Sequence, residues 1–111
     1  MRNILILLLL GWAAAANAAT PLSATDATAA HELAKNNGCL SCHALSEKIV
    51  GPAYAKVAEK YRDDKDAVAT LTHSVQYGSK GKWGRIPMPP HPSMNVDEIK
   101  TLARWVLSID K

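Results

Sequence analysis

The stretch Cys39-Leu40-Ser41-Cys42-His43 decides how the rest of this chain is read. C-x-x-C-H is the attachment signature of c-type haem. On one helical turn, residues three apart share a face. Two thiols so placed can each form a thioether with one haem vinyl group. The next residue, His43, is then held beneath the iron, where an imidazole nitrogen can ligate it. Without the histidine, the same spacing reads as a redox dithiol or half a zinc site. The chain has only these 2 cysteines, so there is no second pair to complete a zinc site. A Cys39–Cys42 disulfide is the rival use in an oxidising compartment.

Working outward, the N-terminus reads as a secretory signal peptide. Met1-Arg2 is a short positive start, Ile4 to Leu10 is unbroken apolar sequence, and Ala16-Asn17-Ala18 is a small-residue cleavage site. The apolar run is shorter than the roughly 20 residues a spanning helix needs. The expected organisation is a cleaved segment over 1–18 and one domain over 19–111. The mature form is then exported to the periplasm without a membrane anchor.

The formal charge of the 111-residue chain is +3, and Arg2 contributes one of those charges. A bound haem brings two propionates, so the holoprotein is close to neutral. This composition excludes nucleic-acid binding by a basic surface. Three Trp, three Tyr and no Phe make a limited core for a domain this small. A buried porphyrin would supply the missing apolar mass, and the apoprotein is expected to be largely unfolded.

The periodicities predict helices throughout. The first runs from about Asp26, as N-cap, to Asn36, and ends at Asn37-Gly38. Pro52 suits the first turn of a second helix over about 53–60. Asp66 is positioned to cap a third over about 67–77, with Val68, Leu71 and Val75 inward and Gly78 as its stop. In the last helix Asn95 and Glu98 form a capping box, and Met94 with Ile99 a hydrophobic staple. Its inward stripe is Ile99, Leu102, Ala103 and Val106, with Leu107 at its margin and Trp105 beside it. Between the third and last helices, Pro87, Pro89, Pro90 and Pro92 exclude helix and central strand. That segment reads as a stiff, extended strap.

Met88 lies inside the strap. A thioether sulfur suits haem iron, and His/Met ligation gives a high reduction potential. Pro87 and Pro89 restrict the backbone, so the sulfur can be held with little rearrangement. Met94 is accounted for by the staple, and Met1 leaves with the signal peptide. His31 and His73 read as surface residues, and His91 as a neighbour of Met88. Trp83 offers an indole N–H to a propionate. Lys80, Lys82 and Arg85, with Lys35 and Lys48, form a candidate basic rim for orienting a redox partner.

Four segments together carry a resemblance: Gly38-Cys39-x-x-Cys42-His43-Ala44, Val50-Gly51-Pro52-Ala53-Tyr54, Trp83-Gly84-x-Ile86-Pro87-Met88-Pro89-Pro90, and Leu102-Ala103-x-Trp105-Val106-Leu107-Ser108. In content and order they resemble small bacterial class I cytochromes c of the cytochrome c-551 type, over nearly all of the mature chain. The resemblance implies an all-α fold of four main helices wrapped around one covalent haem c. It implies attachment through Cys39 and Cys42, and His43 and Met88 as axial iron ligands. The Pro52 carbonyl would accept a hydrogen bond from His43, Trp83 would bond an inner propionate, and the first and last helices would cross near Gly38 and Trp105. Three positions depart from the pattern: Ser74 stands where a basic residue commonly bonds a propionate, His91 where an asparagine steadies the methionine, and Ala34 where an aromatic widens the first helix's contact with the last.

The implied function is that of a monomeric periplasmic electron carrier, not an enzyme. A cytochrome bc1-type donor and a nitrite reductase or terminal oxidase acceptor are the implied partners. The alternative is a haem domain with a labile methionine ligand, acting as a small-ligand sensor or peroxidase.

Overall fold

The structure, a computed structural model, describes Gly11 and residues 22–110. Apart from Gly11, the signal-peptide reading over 1–18 lies outside the described residues. Four α-helices follow one another: α1 (Ala24–Asn36), α2 (Tyr54–Lys60), α3 (Ala67–Tyr77) and α4 (Val96–Leu107). A single 3-10 turn, Cys39–Ser41, lies between α1 and α2. No named strand occurs among the described residues, so the all-α expectation is borne out.

The helix starts show which local signals prevail. Ser23, not Asp26, caps α1: its hydroxyl accepts from the Asp26 N–H at 3.0 Å. Asp26 sits instead in the first turn, where its charge complements the helix dipole. Asp66 stands at the start of α3, but its side chain makes no capping bond. The Asp66 N–H is instead taken by Asp64 Oδ1 at 2.8 Å, so a turn one step earlier does the work. Asn95 caps α4 as expected, accepting from the N–H groups of Asp97 at 2.8 Å and Glu98 at 3.4 Å.

Helix α2 has no side-chain cap, and it starts at Tyr54, one residue inside the expected span of about 53–60. A helix start leaves N–H groups unpaired. Here the carbonyls of Ala44 and Leu45 accept from Tyr54 and Ala55 at 3.0 and 2.9 Å. This clamp ties α2 to the segment that follows His43.

Helix α4 is the hub, packing against α1, α2 and α3. Its face carries Ile99, Leu102, Ala103 and Trp105, all buried. Trp105 was read as lying beside the stripe; it is part of the core, clustered with Ala30 and Ala34 of α1, both at 0 % exposure. The small residues leave room for the indole. Ala34, Leu102, Tyr54 and Trp105 belong to one cluster. The rings of Tyr54 and Trp105 meet edge to face at 5.6 Å.

The Pro-rich segment folds back instead of running extended. Ser79 and Met88 exchange backbone hydrogen bonds of 3.1 and 2.8 Å, closing the intervening residues into a loop. The N–H of His91 then bonds the Val75 carbonyl at 2.9 Å, which stitches the far end of the loop to α3.

Candidate haem site

The attachment motif is built by local hydrogen bonds. The N–H groups of Cys42 and His43 both bond the Cys39 carbonyl, at 3.1 and 2.9 Å. This turn brings Cys39, Cys42 and His43 onto the wall of one cleft. Both cysteines are free and half-buried. Burial, partly countered by hydrogen bonding with the Tyr54 side chain, pushes the Cys39 thiol up from its ordinary value. Burial likewise pushes the Tyr54 phenol up, so that hydroxyl stays protonated.

Nδ1 of His43 lies 2.8 Å from the Pro52 carbonyl oxygen. A carbonyl only accepts, so Nδ1 carries the proton and Nε2 keeps its lone pair. The imidazole is held from three sides. Pro52 takes the N–H, the Tyr54 ring stacks on it at 4.9 Å with 19° between planes, and the backbone of Gly51 lies against it. A Cβ on Gly51 would fall 2.5 Å from His43 Cε1, so a side chain there would displace the ring.

Met88 lines the same cleft, as do Pro52, Trp83 and His91. Its position depends on Gly78, the last residue before the loop. Gly78 has φ +82°, and a Cβ there would sit 2.7 Å from the Met88 carbonyl oxygen. Glycine is required on both counts. Trp83 is partly exposed on the same wall, with the Lys60 ammonium 4.6 Å from its ring centre, a cation–π distance. His31 packs at 5.6 Å against Trp105 and His73 at 4.8 Å against Tyr77. Both are exposed, and neither lines the cleft. Met94 packs against the core cluster, consistent with the staple.

Sequence reading singled out Cys39, Cys42, His43, Pro52, Trp83 and Met88, and the structure brings all six to one cleft. It missed Gly51, Gly78 and Ser79, which hold the two candidate ligands by backbone shape. It also missed the stacking of Tyr54 on His43. Gly51 and Tyr54 flank Pro52 in sequence, and that proximity was the available signal. Nothing local in the sequence pairs Ser79 with Met88.

The residue set suits a large apolar group with a polar edge. Val57, Leu71, Val75, Leu102 and Val106 supply apolar walls. His91 Nδ1 is buried there without a hydrogen-bond partner, an orphan of the kind a bound group relieves. A second lobe, sharing His43, Trp83 and Met88 with the first, opens toward Ile49, Val50 and Ile86. Two thiols, an imidazole with a free Nε2 and a thioether are the donors that haem c takes.

Comparison with known proteins agrees. The cytochrome c family model matches residues 27–110. Cytochrome c-551 of Pseudomonas aeruginosa is 51% identical over 76 residues, covering 68% of this chain and 72% of that protein. Cytochrome c-551 of Stutzerimonas stutzeri is 44% identical over 110 residues, covering 98% and 99%. Among solved structures, cytochrome c552 of Nitrosomonas europaea superposes with a TM-score of 0.70 at 42% identity, covering 72% of this chain and 99% of that one.

Proposed function

Because this chain belongs to the cytochrome c family, as a small class I cytochrome of the c-551 type that carries one covalent haem c and transfers electrons, we propose the following working arrangement. Cys39 and Cys42 would hold the haem through thioethers, His43 and Met88 would ligate its iron, Pro52 would fix the His43 ring and Trp83 would bond a propionate. When bound, the haem iron supplies one-electron ferrous–ferric chemistry. The protein's part is to keep the ligand set unchanged as the charge changes.

One observation carries this reading. The His43 N–H is bound to the Pro52 carbonyl at 2.8 Å, while the Met88 backbone is pinned to Ser79 by two hydrogen bonds, and both side chains line one cleft. A methionine whose backbone is held in this way would keep its sulfur at the iron and exclude exogenous ligands, which favours a carrier over a sensor or a peroxidase.

The outer lobe suits brief docking. Ile49, Val50 and Ile86 are 48, 45 and 67 % exposed, and Lys48, Lys82 and Arg85 line the same lobe. An apolar patch with cations beside it orients a partner more than it tightens the complex. Lys35 and Lys80 do not line it. The partners in this reading are a cytochrome bc1-type donor and a nitrite reductase or terminal oxidase as acceptor. The compartment is the periplasm, reached through the signal peptide over 1–18, and the working form is a monomer. No described helix is long and apolar enough to cross a membrane.

The test is spectroscopic. The ferric holoprotein should show the weak far-red sulfur-to-iron band, and the ferrous form should not change on adding carbon monoxide at neutral pH. Ready carbon monoxide binding would overturn the carrier reading in favour of a labile methionine. Electron uptake by purified nitrite reductase or oxidase then selects the acceptor.

A further inference from the structure

Among the described residues, Lys82 is the one Lys, Arg, Asp or Glu side chain lining the inner lobe of the cleft. Its Nζ donates to Ser74 Oγ at 3.2 Å. Ser74 belongs to α3 and is 8 % exposed, so the ammonium reaches inward from the loop to a largely buried hydroxyl. A lysine with only solvent to satisfy gains little from that posture, since ordering a long side chain costs rotamer entropy. An ammonium has three N–H donors. Ser74 takes one, and two remain for an acceptor in the cleft. No protein carboxylate lines this lobe to accept them. The haem brings two carboxylates of its own, and Trp83, the next residue, lines the same wall.

We infer that Lys82, positioned by Ser74, is the counter-cation of a haem propionate and so holds up the reduction potential. The inference rests on the seating of the haem proposed above. Lys60 is the rival cation. Its ammonium lies over the rings of Trp83 and Tyr61, at 4.6 and 5.5 Å, and it does not line the cleft. A propionate without its cation stabilises the ferric state, because the oxidised centre carries one more positive charge. Loss of Lys82 therefore lowers the potential. A pair set against the cleft wall is screened by salt far less than a charge in open solvent.

The experiment is a redox titration of holoprotein, in low and high salt, for the parent chain and for Lys82→Met, Lys82→Gln, Lys82→Arg, Lys60→Met and Ser74→Ala. Lys82 is exposed, so these changes leave the core intact. Lys82→Met and Lys82→Gln should lower the potential at both salt concentrations. Lys82→Arg should stay near the parent, and Ser74→Ala should fall between. Placing the cation on α3, with Ser74→Arg added to Lys82→Met, should recover most of the loss. The inference is overturned if Lys82→Met shifts the potential no more than Lys60→Met, or if its shift disappears in high salt. A haemochrome spectrum separates this result from the premise. A parent chain without thioether-linked haem defeats the seating and the inference together, whereas a normal haemochrome with equal shifts defeats only the role of Lys82.

Discussion

The imidazole of His43 rests against the bare backbone of Gly51: a Cβ there would stand 2.9 Å from Nδ1 and 3.0 Å from Nε2, besides the closer contact at Cε1. All three ring atoms crowd the same point, so a side chain could be admitted only by moving the ring. Gly51→Ala is therefore expected to destabilise the holoprotein by about 1–3 kcal/mol, the usual cost of overpacking. It should also disturb the haem spectrum, because the His43–Pro52 hydrogen bond would shift with the ring. Thermal melting followed in the Soret region checks both. An unchanged melt and spectrum would mean that the ring does not sit where it is drawn.

Met88→Ala removes the sulfur and leaves its loop closed by Ser79. The far-red band should disappear, the ferrous form should bind carbon monoxide, and the potential should fall. Retention of the band would identify another sulfur as the ligand, and Met94 is the other methionine of residues 19–111.

The protein's own core is thin. Seven of its twelve buried apolar residues are alanines, and Ile99 is the one large side chain that is fully buried among the described residues. A double Cys39→Ala, Cys42→Ala chain, which cannot attach haem, should lack a cooperative thermal transition by far-UV circular dichroism. A sharp apo melt would show that the helices pack without the cofactor.

Ile99 is at 0 % exposure on the helix that contacts all three others. Ile99→Ala should cost about 2–5 kcal/mol, the range for truncating a buried aliphatic side chain. Denaturant unfolding of the holoprotein measures it, and the potential should stay close to that of the parent.

Asn95→Ala removes the acceptor for two N–H groups at the start of α4. The expected loss is about 1 kcal/mol, read as a lower denaturation midpoint with an unchanged spectrum. Gly in the same place should cost only a few tenths of that unit.

What could be read from sequence was whatever is carried by neighbours along the chain. The cysteines and histidine are adjacent, the prolines flank Met88, and Asn95 stands at the head of a strongly amphipathic run. The misreadings came where two local signals compete. Ser23 and Asp26 both suit an N-cap, and only the backbone decides between them. Asp64 and Asp66 compete in the same way before α3. Other features were invisible because they are relations across the fold. Trp105 becomes core because two alanines on another helix make space for it, and the Pro-rich segment turns back because Ser79 meets Met88. The contact of Lys82 with Ser74 joins a loop to a helix, and no periodicity announces it.

The turn at Cys39 has one more consequence, for the order of assembly. Its hydrogen bonds run from Ser41 to Gly38 and from Cys42 and His43 to Cys39, all within a few residues. A segment stitched so locally can form before the remaining chain has organised. The loop bearing Met88 has no such independence, since it is anchored through Val75 and Ser79 to the end of α3. The half of the site that receives the haem can thus be ready first, and the half that caps it arrives with the tertiary fold. A chain caught between these stages would hold its cofactor through the Cys39–His43 turn without Met88.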